Sequence, residues 1–230
     1  MYREIRIHRL HAVLWVNAPE AVDAQPSTAT ITPDGCMDLL ATGSGVVIAG
    51  ADTAARTVPA TGETIAGLRF DSGVLPQLLA TSAAELADRL TPLAEVAPPK
   101  RVRIPGARLA EATSPSVRVR SLLGLAEDLL ARTEIDRRPL ALADALAARG
   151  DGSSVSIAEA AADFAYSPRQ LRRLSAQWYG YGPKHLAKIL RWRRARALID
   201  AGLTRTEAAA RSGYSDAAHL WREERALLGR

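Results

Sequence analysis

Residues 156–229 carry one local pattern twice, and a tandem pattern of this kind leaves few folds open. The first copy begins SIAEAAADFAYS, where Ile157, Ala160, Ala161 and Phe164 recur at helical spacing. Ser156 followed three residues later by Glu159 is a capping-box signature. A break at Tyr166-Ser167 leads into SPRQLRRLSAQW, with Ser167 as cap and Pro168 at the first helical position, where the missing N–H costs nothing. The second copy begins TRTEAAARSGYS, capped by Thr204 or Thr206 and turned at Gly213; SDAAHLWREERALLG follows with Ser215 as its expected cap. Each copy is therefore a short helix, a tight turn and a second capped helix, the plan of a helix-turn-helix unit.

In the first copy Leu171 and Leu174 are expected to face a core, leaving Arg169, Gln170, Arg172 and Arg173 outward near a helix N-terminus, where phosphates and guanine edges are well met. In the second, Leu220 and Leu227 take the inward role. Between the copies runs PKHLAKILRWRRARALIDAG, opened by Pro183 and closed by Gly202. Leu186, Ile189, Leu190, Ala197 and Leu198 give it an apolar stripe, and Lys184, Lys188, Arg191, Arg193, Arg194 and Arg196 give it charge.

On IAEAAADFAYSPRQLRRL, YGYGPKHLAKILRWRRARALI and RTEAAARSGYSDAAHLWRE, this part resembles the DNA-binding domain of the AraC/XylS family of bacterial transcriptional regulators. The Gly-x-x-Pro entry to the central helix, the Arg-x-x-x-Ala within it and the Gly-Tyr-Ser-Asp before the second reader carry the likeness, which covers about a third of the chain. The chain departs from the family at Ser175, Leu220 and Glu224, where aromatic residues are usual, and at Ala217 and Ala218, where longer polar side chains often sit. The resemblance and the outward positions together predict a DNA-binding set of Ser167, Arg169, Gln170, Arg172, Arg173, Lys184, Ser215, Ala217, Ala218, Trp221 and Arg222. Base reading is expected chiefly from Arg169, Gln170, Arg172 and Arg173, with Arg222 and its neighbours in the second half, and phosphate contacts from the caps and the ends of the central helix.

Charge follows this division. Residues 1–97 are net −5, residues 98–150 net +4 and residues 151–230 net +6. The basic excess thus falls on the proposed reader, as attraction to phosphate requires. The single cysteine, Cys36, excludes an intrachain disulfide. No apolar run approaches the roughly 18 residues of a membrane helix, and MYREIRIHRLHAVLWV lacks a signal-peptide apolar region, so a cytoplasmic protein with no membrane partner is expected.

Residues 1 to about 70 read as short strands and close-set turns (Pro33-Asp34-Gly35, Gly43-Ser44-Gly45, Gly50), with Ile5, Ile7, Val13 and Trp15 on one parity. LPQLLATSAAELADRLTPLAEV then reads as helix, with Ser82 as a cap. PDGCMDLL, VIAGADT and GLRFDSGVLPQLL resemble a barrel-like N-terminal domain often attached to AraC-type readers and related in layout to cupin sensing barrels. The expected fold is α+β: an N-terminal small β-barrel or cupin-like domain with helices (1–97), a basic linker and connecting helices (98–150), and an all-α domain of two helix-turn-helix units joined by a long helix (151–230). In the connecting part PPKRVRIPGARLAEATSP reads as linker and Leu122, Leu125, Leu129 and Leu130 form a helical stripe.

Other chemistry is sparse. Nothing adjacent in sequence would lower the pKa of Cys36, which is read as a buried structural thiol. His8 and His11 are read on a strand, pointing to opposite faces, which argues against a metal pair. His185 and His219 are expected at phosphate or solvent, and Trp178 and Trp192 as packing anchors, while Trp221 is open between the DNA surface and a hydrophobic gap. Asp34, Asp38, Asp52 and Asp71 are assigned turn and cap roles. No cofactor motif appears, and neither a catalytic set nor a metal set is expected.

The function expected is a sequence-specific transcription regulator, not an enzyme. The resemblance implies double-stranded DNA as partner and RNA polymerase as partner of an activator; a small-molecule effector in the N-terminal domain and a homodimer are further candidate partners, since the likeness of the first half carries its fold and not a ligand. The rival is a ligand-binding or enzymatic barrel whose helical tail is an interaction module. It would need converging polar or metal ligands in the first half, and the linear sequence displays none.

Overall fold

The computed structural model describes residues 2–18, 28–43, 45–59, 63–97, 114–147 and 156–229. Residues 98–113 of the expected linker and the Asp151-Gly152-Ser153-Ser154 break lie outside the described residues, and the linker's last two residues, Ser114 and Pro115, open a helix. Among the described residues the N-terminal half holds eight strands: β1 Tyr2–Ile7, β2 Ala12–Asn17, β3 Thr28–Ile31, β4 Met37–Thr42, β5 Gly45–Ala49, β6 Arg56–Pro59, β7 Ile65–Phe70 and β8 Leu90–Pro92. Six form one antiparallel sheet in the order β1-β2-β7-β4-β5-β8, and β3 pairs with β6 as a separate ribbon.

Strand alternation gives the sheet two different faces. Leu39, Ala41, Leu68 and Phe70 point to one side and are fully buried. That side is covered by helix α4, Pro115–Leu130, through Leu122, Leu125 and Leu129. Trp15, Asp38, Leu40, Ile65 and Arg69 point to the other side, which is less filled. Gly67, between Ile65 and Arg69, explains how Trp15 fits there. A Cβ on Gly67 would lie 2.3 Å from Trp15 Cε2, so the indole lies flat against bare backbone. The expected common parity of Ile5, Ile7, Val13 and Trp15 does not hold: Ile5 pairs with Leu14 and Ile7 with Ala12, so both lie on the face opposite to Val13 and Trp15, and Ile5, at the open edge of β1, is 65% exposed.

Residues 75–96 do not form the continuous helix that their composition suggests. They make α1 (Leu75–Leu79), α2 (Ala83–Leu86), the strand β8 and α3 (Leu93–Val96). Ala80 at φ 52° and Asp88 at φ 58° break the helical path. The pairing of β8 with Val47–Ala49 satisfies the edge of β5, so tertiary hydrogen bonding overrides local propensity. Ser82 does cap α2, accepting from Ala84 N at 3.3 Å. His8 is likewise not in a strand: His8–Leu10 form a 3-10 turn and His11 is left-handed at φ 49°.

The remaining helices are α5 (Arg138–Ala147), α6 (Ile157–Asp163), α7 (Pro168–Tyr179), α8 (Pro183–Asp200), α9 (Arg205–Arg211) and α10 (Ala217–Leu228). One contiguous core runs from the sheet into them, through Tyr179, Leu186, Ile189 and Trp192. Tyr179 Oη donates to Pro139 O at 2.5 Å, tying α7 to α5. Among the described residues, no helix is long and apolar enough to cross a membrane.

Candidate nucleic-acid interface and adjoining cavity

The two helix-turn-helix units are built by local capping. In α6, Glu159 N donates to Ser156 Oγ at 3.1 Å and Ser156 N to Glu159 Oε2 at 3.0 Å. In α7, Gln170 N donates to Ser167 Oγ at 3.3 Å and Ser167 N to Gln170 Oε1 at 2.8 Å. In α9, Thr204 rather than Thr206 caps, with Glu207 as the reciprocal partner. These boxes satisfy backbone N–H groups that a helix start otherwise leaves bare. Gln170 is thereby partly committed: its side-chain oxygen holds the cap, and only its amide nitrogen remains for an outside partner.

The second reader begins one residue later than its expected cap. Asp216, not Ser215, is the N-cap of α10, and Asp216 Oδ1 accepts from His219 N at 2.6 Å. This backbone bond holds the Asp216 carboxyl below its ordinary range. Ser215 Oγ turns to Asp216 Oδ2 at 3.2 Å. The two turns therefore differ in length. Both pass through a left-handed residue, Ala165 at φ 54° in the first and Gly213 at φ 80° in the second, where only Gly213 is free of Cβ strain.

Counting from the caps brings the two readers into register. Leu171 and Ser175 are buried on α7, and Leu220 and Glu224 take the same places on α10. Arg169, Arg172 and Arg173 face out from α7; Ala218, Trp221 and Arg222 face out from α10, while Ala217 is half-buried. Trp221 thus occupies the place of Arg172. It is 48% exposed, with the Arg225 guanidinium 4.9 Å from its ring centre. Lys184 is exposed at the start of α8. Leu174, expected inward, is only half-buried.

The departures at Ser175 and Glu224 are compensated. Ser175 Oγ donates to Tyr181 O at 2.8 Å. Glu224 accepts from Arg205 Nη1 at 2.6 Å, joining α9 to α10. Beside it, Glu223 takes a two-pronged contact from Arg191 at 2.6 and 3.2 Å and a hydrogen bond from Tyr214 Oη at 2.8 Å. Arg191 also lies 4.5 Å from the Tyr214 ring centre. The second unit is thus fastened to α8 by a charged network absent from the sequence reading.

Helix α8 has 18 residues, about 27 Å at about 1.5 Å per residue. Its buried face is Leu186, Ile189, Trp192 and Ala195; Ala197, expected inward, is exposed. Part of its charge is engaged by intramolecular partners at the surface. Arg193 Nη1 donates to Asp34 O at 2.7 Å, and Arg196 pairs with Asp200 at 3.1 Å. His185 is half-buried and engaged within the protein: its Nε2 is 2.9 Å from Thr53 O, and its ring packs on Tyr181. Burial lowers its pKa, with the Thr53 carbonyl opposing. His219 packs edge-on to Tyr214. Trp192 is a buried anchor and Trp178 a half-buried one.

Between the less-filled sheet face, the β3–β6 ribbon and α8 lies a cavity of about 650 Å³. Trp15 Nε1 donates to Asp38 Oδ1 at 2.6 Å. Arg69 Nε lies 3.0 Å from Asp34 Oδ2 and 3.8 Å from Asp38 Oδ1. Asp52 pairs with Arg56 at 2.7 Å. Burial, then the Asp34 charge, pushes the Asp38 carboxyl up to about 6. Turn and cap roles therefore do not account for these acids, save for Asp34, which also accepts from Cys36 N at 2.9 Å. Asp71 instead pairs with Arg6 at 2.6 Å. The first half does hold converging polar groups, and long-range strand pairing hid them from a linear reading. Cys36 is half-buried at the wall of this cavity. Its thiol is pushed up by burial and then by Asp34, against which Arg193 and Arg69 do not prevail. Among the described residues, no group of three or more His, Cys, Asp or Glu is placed to hold a metal.

A family described as "Helix-turn-helix domain" matches residues 160–230, and "Domain of unknown function (DUF6597)" matches residues 10–92. No curated protein matches the chain. Among solved structures, one of ToxT from Vibrio cholerae superimposes with TM-score 0.50 at 8% identity, over 100% of this chain and 95% of that one. An apo ToxT variant gives TM-score 0.49 at 11% identity, covering 99% and 96%. ToxT with a bound unsaturated fatty acid gives 0.47 at 9%, covering 94% and 91%. At such identities the first likeness speaks for the fold, a sheet domain followed by paired helix-turn-helix units.

Proposed function

We infer that this chain, a DNA-binding transcription regulator of the AraC type, reads base sequence mainly through α7 and responds to a small molecule held beneath α8. One observation carries the DNA reading. Two capped helices bury the same positions and leave Arg169, Arg172 and Arg173, and Ala218, Trp221 and Arg222, outward. Arg169, Arg172 and Arg173 suit guanine edges, and the free amide nitrogen of Gln170 suits a base or phosphate acceptor. Ser167, Ser215 and Lys184 suit phosphate, and Ala217 and Ala218 allow close approach of the groove wall. Trp221 offers an apolar face for a thymine methyl.

The division into a sensor (1–97), a connecting part (98–150) and a reader (151–230) belongs to this proposal, as do a homodimer, contact with RNA polymerase in an activator, and a cytoplasmic location. The sensor role rests on the cavity, whose volume falls in the range of small-molecule sites. The enzyme reading lacks a metal set among the described residues, and the Ser215 Oγ–His219 Nδ1 contact at 3.3 Å lies at the exposed cap of α10, outside the cavity. The test is selection of bound fragments from random duplex DNA, followed by titration at several salt concentrations. Enrichment of one asymmetric site with a negative salt slope is expected. Equal retention of all sequences would overturn the reading.

A further inference from the structure

We propose that the cavity under α8 takes an organic cation, a protonated amine or quaternary ammonium with an aromatic or branched apolar body, seated against Asp38. The proposal rests on the sensor reading above and adds the charge class of the ligand.

Count the charges at the floor. Arg56 is held by Asp52 at 2.7 Å. Arg69 sits closer to Asp34, at 3.0 Å, than to Asp38, at 3.8 Å. Asp38 is left with the Trp15 N–H as its one hydrogen-bond donor among the described residues. Its side chain is only 16% exposed. Asp38 shares its nearest cation, Arg69 at 3.8 Å, with the closer Asp34; a buried carboxylate so weakly neutralised is costly, and a ligand cation would reduce that cost. Arg193, at the roof, already donates to the Asp34 carbonyl, and Arg196 pairs with Asp200.

The wall fits the same ligand. Trp15 and Tyr2 stack with ring centres 6.3 Å apart and planes 29° apart. Electron-rich faces beside a carboxylate attract ammonium groups and repel carboxylates. Leu40 and Ile65 supply apolar surface for the rest of the molecule. Gly67 matters here because it lets the Trp15 ring lie beside Asp38 instead of standing into the cavity. A fatty acid or other anion would place its charge against Asp38 and would have to compete with Asp34 and Asp52 for the sheet arginines.

The probes are benzyltrimethylammonium and 2-phenylethylamine, the anion 3-phenylpropionate, the neutral 2-phenylethanol and methyl glucoside. Binding of each to the full chain is measured by calorimetry at pH 7.5. The cations should bind at least about tenfold tighter than the matched anion and alcohol, a difference of about 1.4 kcal/mol. Asp38→Asn should erase that preference while leaving the alcohol unaffected. The ranking on the unmodified chain stands alone should Asp38→Asn fail to fold. A tighter anion, a tighter glucoside, a preference that survives Asp38→Asn, or no binding by any probe overturns the charge class. Leu40→Trp, which fills the cavity, separates this from the sensor reading. Should that variant bind the selected DNA like the parent, with and without every probe, the sensor reading itself falls.

Discussion

The backbone N–H of Ala55, between β5 and β6, donates at 2.7 Å to the carbonyl oxygen of Leu227 in the last turn of the second reader. Two residues away Thr53 O meets His185 on the central helix, and Asp52 lines the cavity. One short loop therefore touches the cavity, the linking helix and the second reader.

Ala55→Pro removes that donor. Loss of the bond should cost about 1 kcal/mol of stability. Backbone amides of α10 should exchange faster, with those of α7 unchanged. Hydrogen exchange read by mass spectrometry checks this, and uniform acceleration across both readers would contradict it.

The two readers carry different side chains, so the DNA site should have two unlike halves about one helical turn, roughly 34 Å, apart. Arg173→Ala should cost about 1–3 kcal/mol at a guanine and relax preference at that position alone. Arg222→Ala should act on the other half, and more weakly, since Ala217 and Ala218 add little beside it. An insertion of about five base pairs between the halves should abolish specific binding. Titrations at fixed salt decide it; equal affinity for parent and inserted sites means only one reader engages.

Arg191 ties the second reader to α8 through Glu223 and Tyr214. Its side chain is 23% exposed and that of Glu223 11%. Arg191→Ala strands a buried carboxylate and should destabilise by about 2–3 kcal/mol. Specific binding should lose its dependence on the second half-site first. A melting curve and half-site competition test the pair of effects.

Asp38 gives a stability dependence on pH with a definite sign. Its folded pKa, about 6, lies above the unfolded value of 3.8, so the folded state favours the protonated acid. The stabilisation this gives is complete below the unfolded value and is lost as pH rises to about 6. Asp38→Asn should therefore be more stable than the parent at pH 7.5, by about 3 kcal/mol, and the gap should shrink toward pH 4. Urea titrations at several pH values measure it; a constant gap would refute the assignment.

Modification of the thiol tests the last local environment. Because burial pushes Cys36 up, it should react with iodoacetamide much more slowly than a free thiol at pH 7.5 in the folded protein, and Cys36→Ser should leave DNA binding unchanged.

The readers were legible because their determinants are local. Caps, a proline at the first helical position and leucines one turn apart all sit within a dozen residues. Asp216 was the exception: Ser215 and Asp216 both suit a cap, and nothing local shows that the second turn is longer. The cavity was not legible because Trp15, Asp38 and Arg69 come from three strands, brought side by side only by the β2-β7-β4 pairing. For the same reason the inward duties of His185 and Arg193 were invisible; both answer to carbonyls of residues far upstream.

The extra residue in the second turn governs how the recognition code could be transplanted. Aligning the two copies by their Tyr-Ser pairs sets Arg173 opposite Trp221, whereas aligning them by their caps sets it opposite Arg222. Grafting the first reader's surface onto the second by the motif would rotate every grafted side chain by one helical step, about 100°, and send an arginine into the buried place of Leu220. A graft begun at Asp216 keeps the apolar seam intact, which makes that cap the splice point for building a regulator with two matching half-sites.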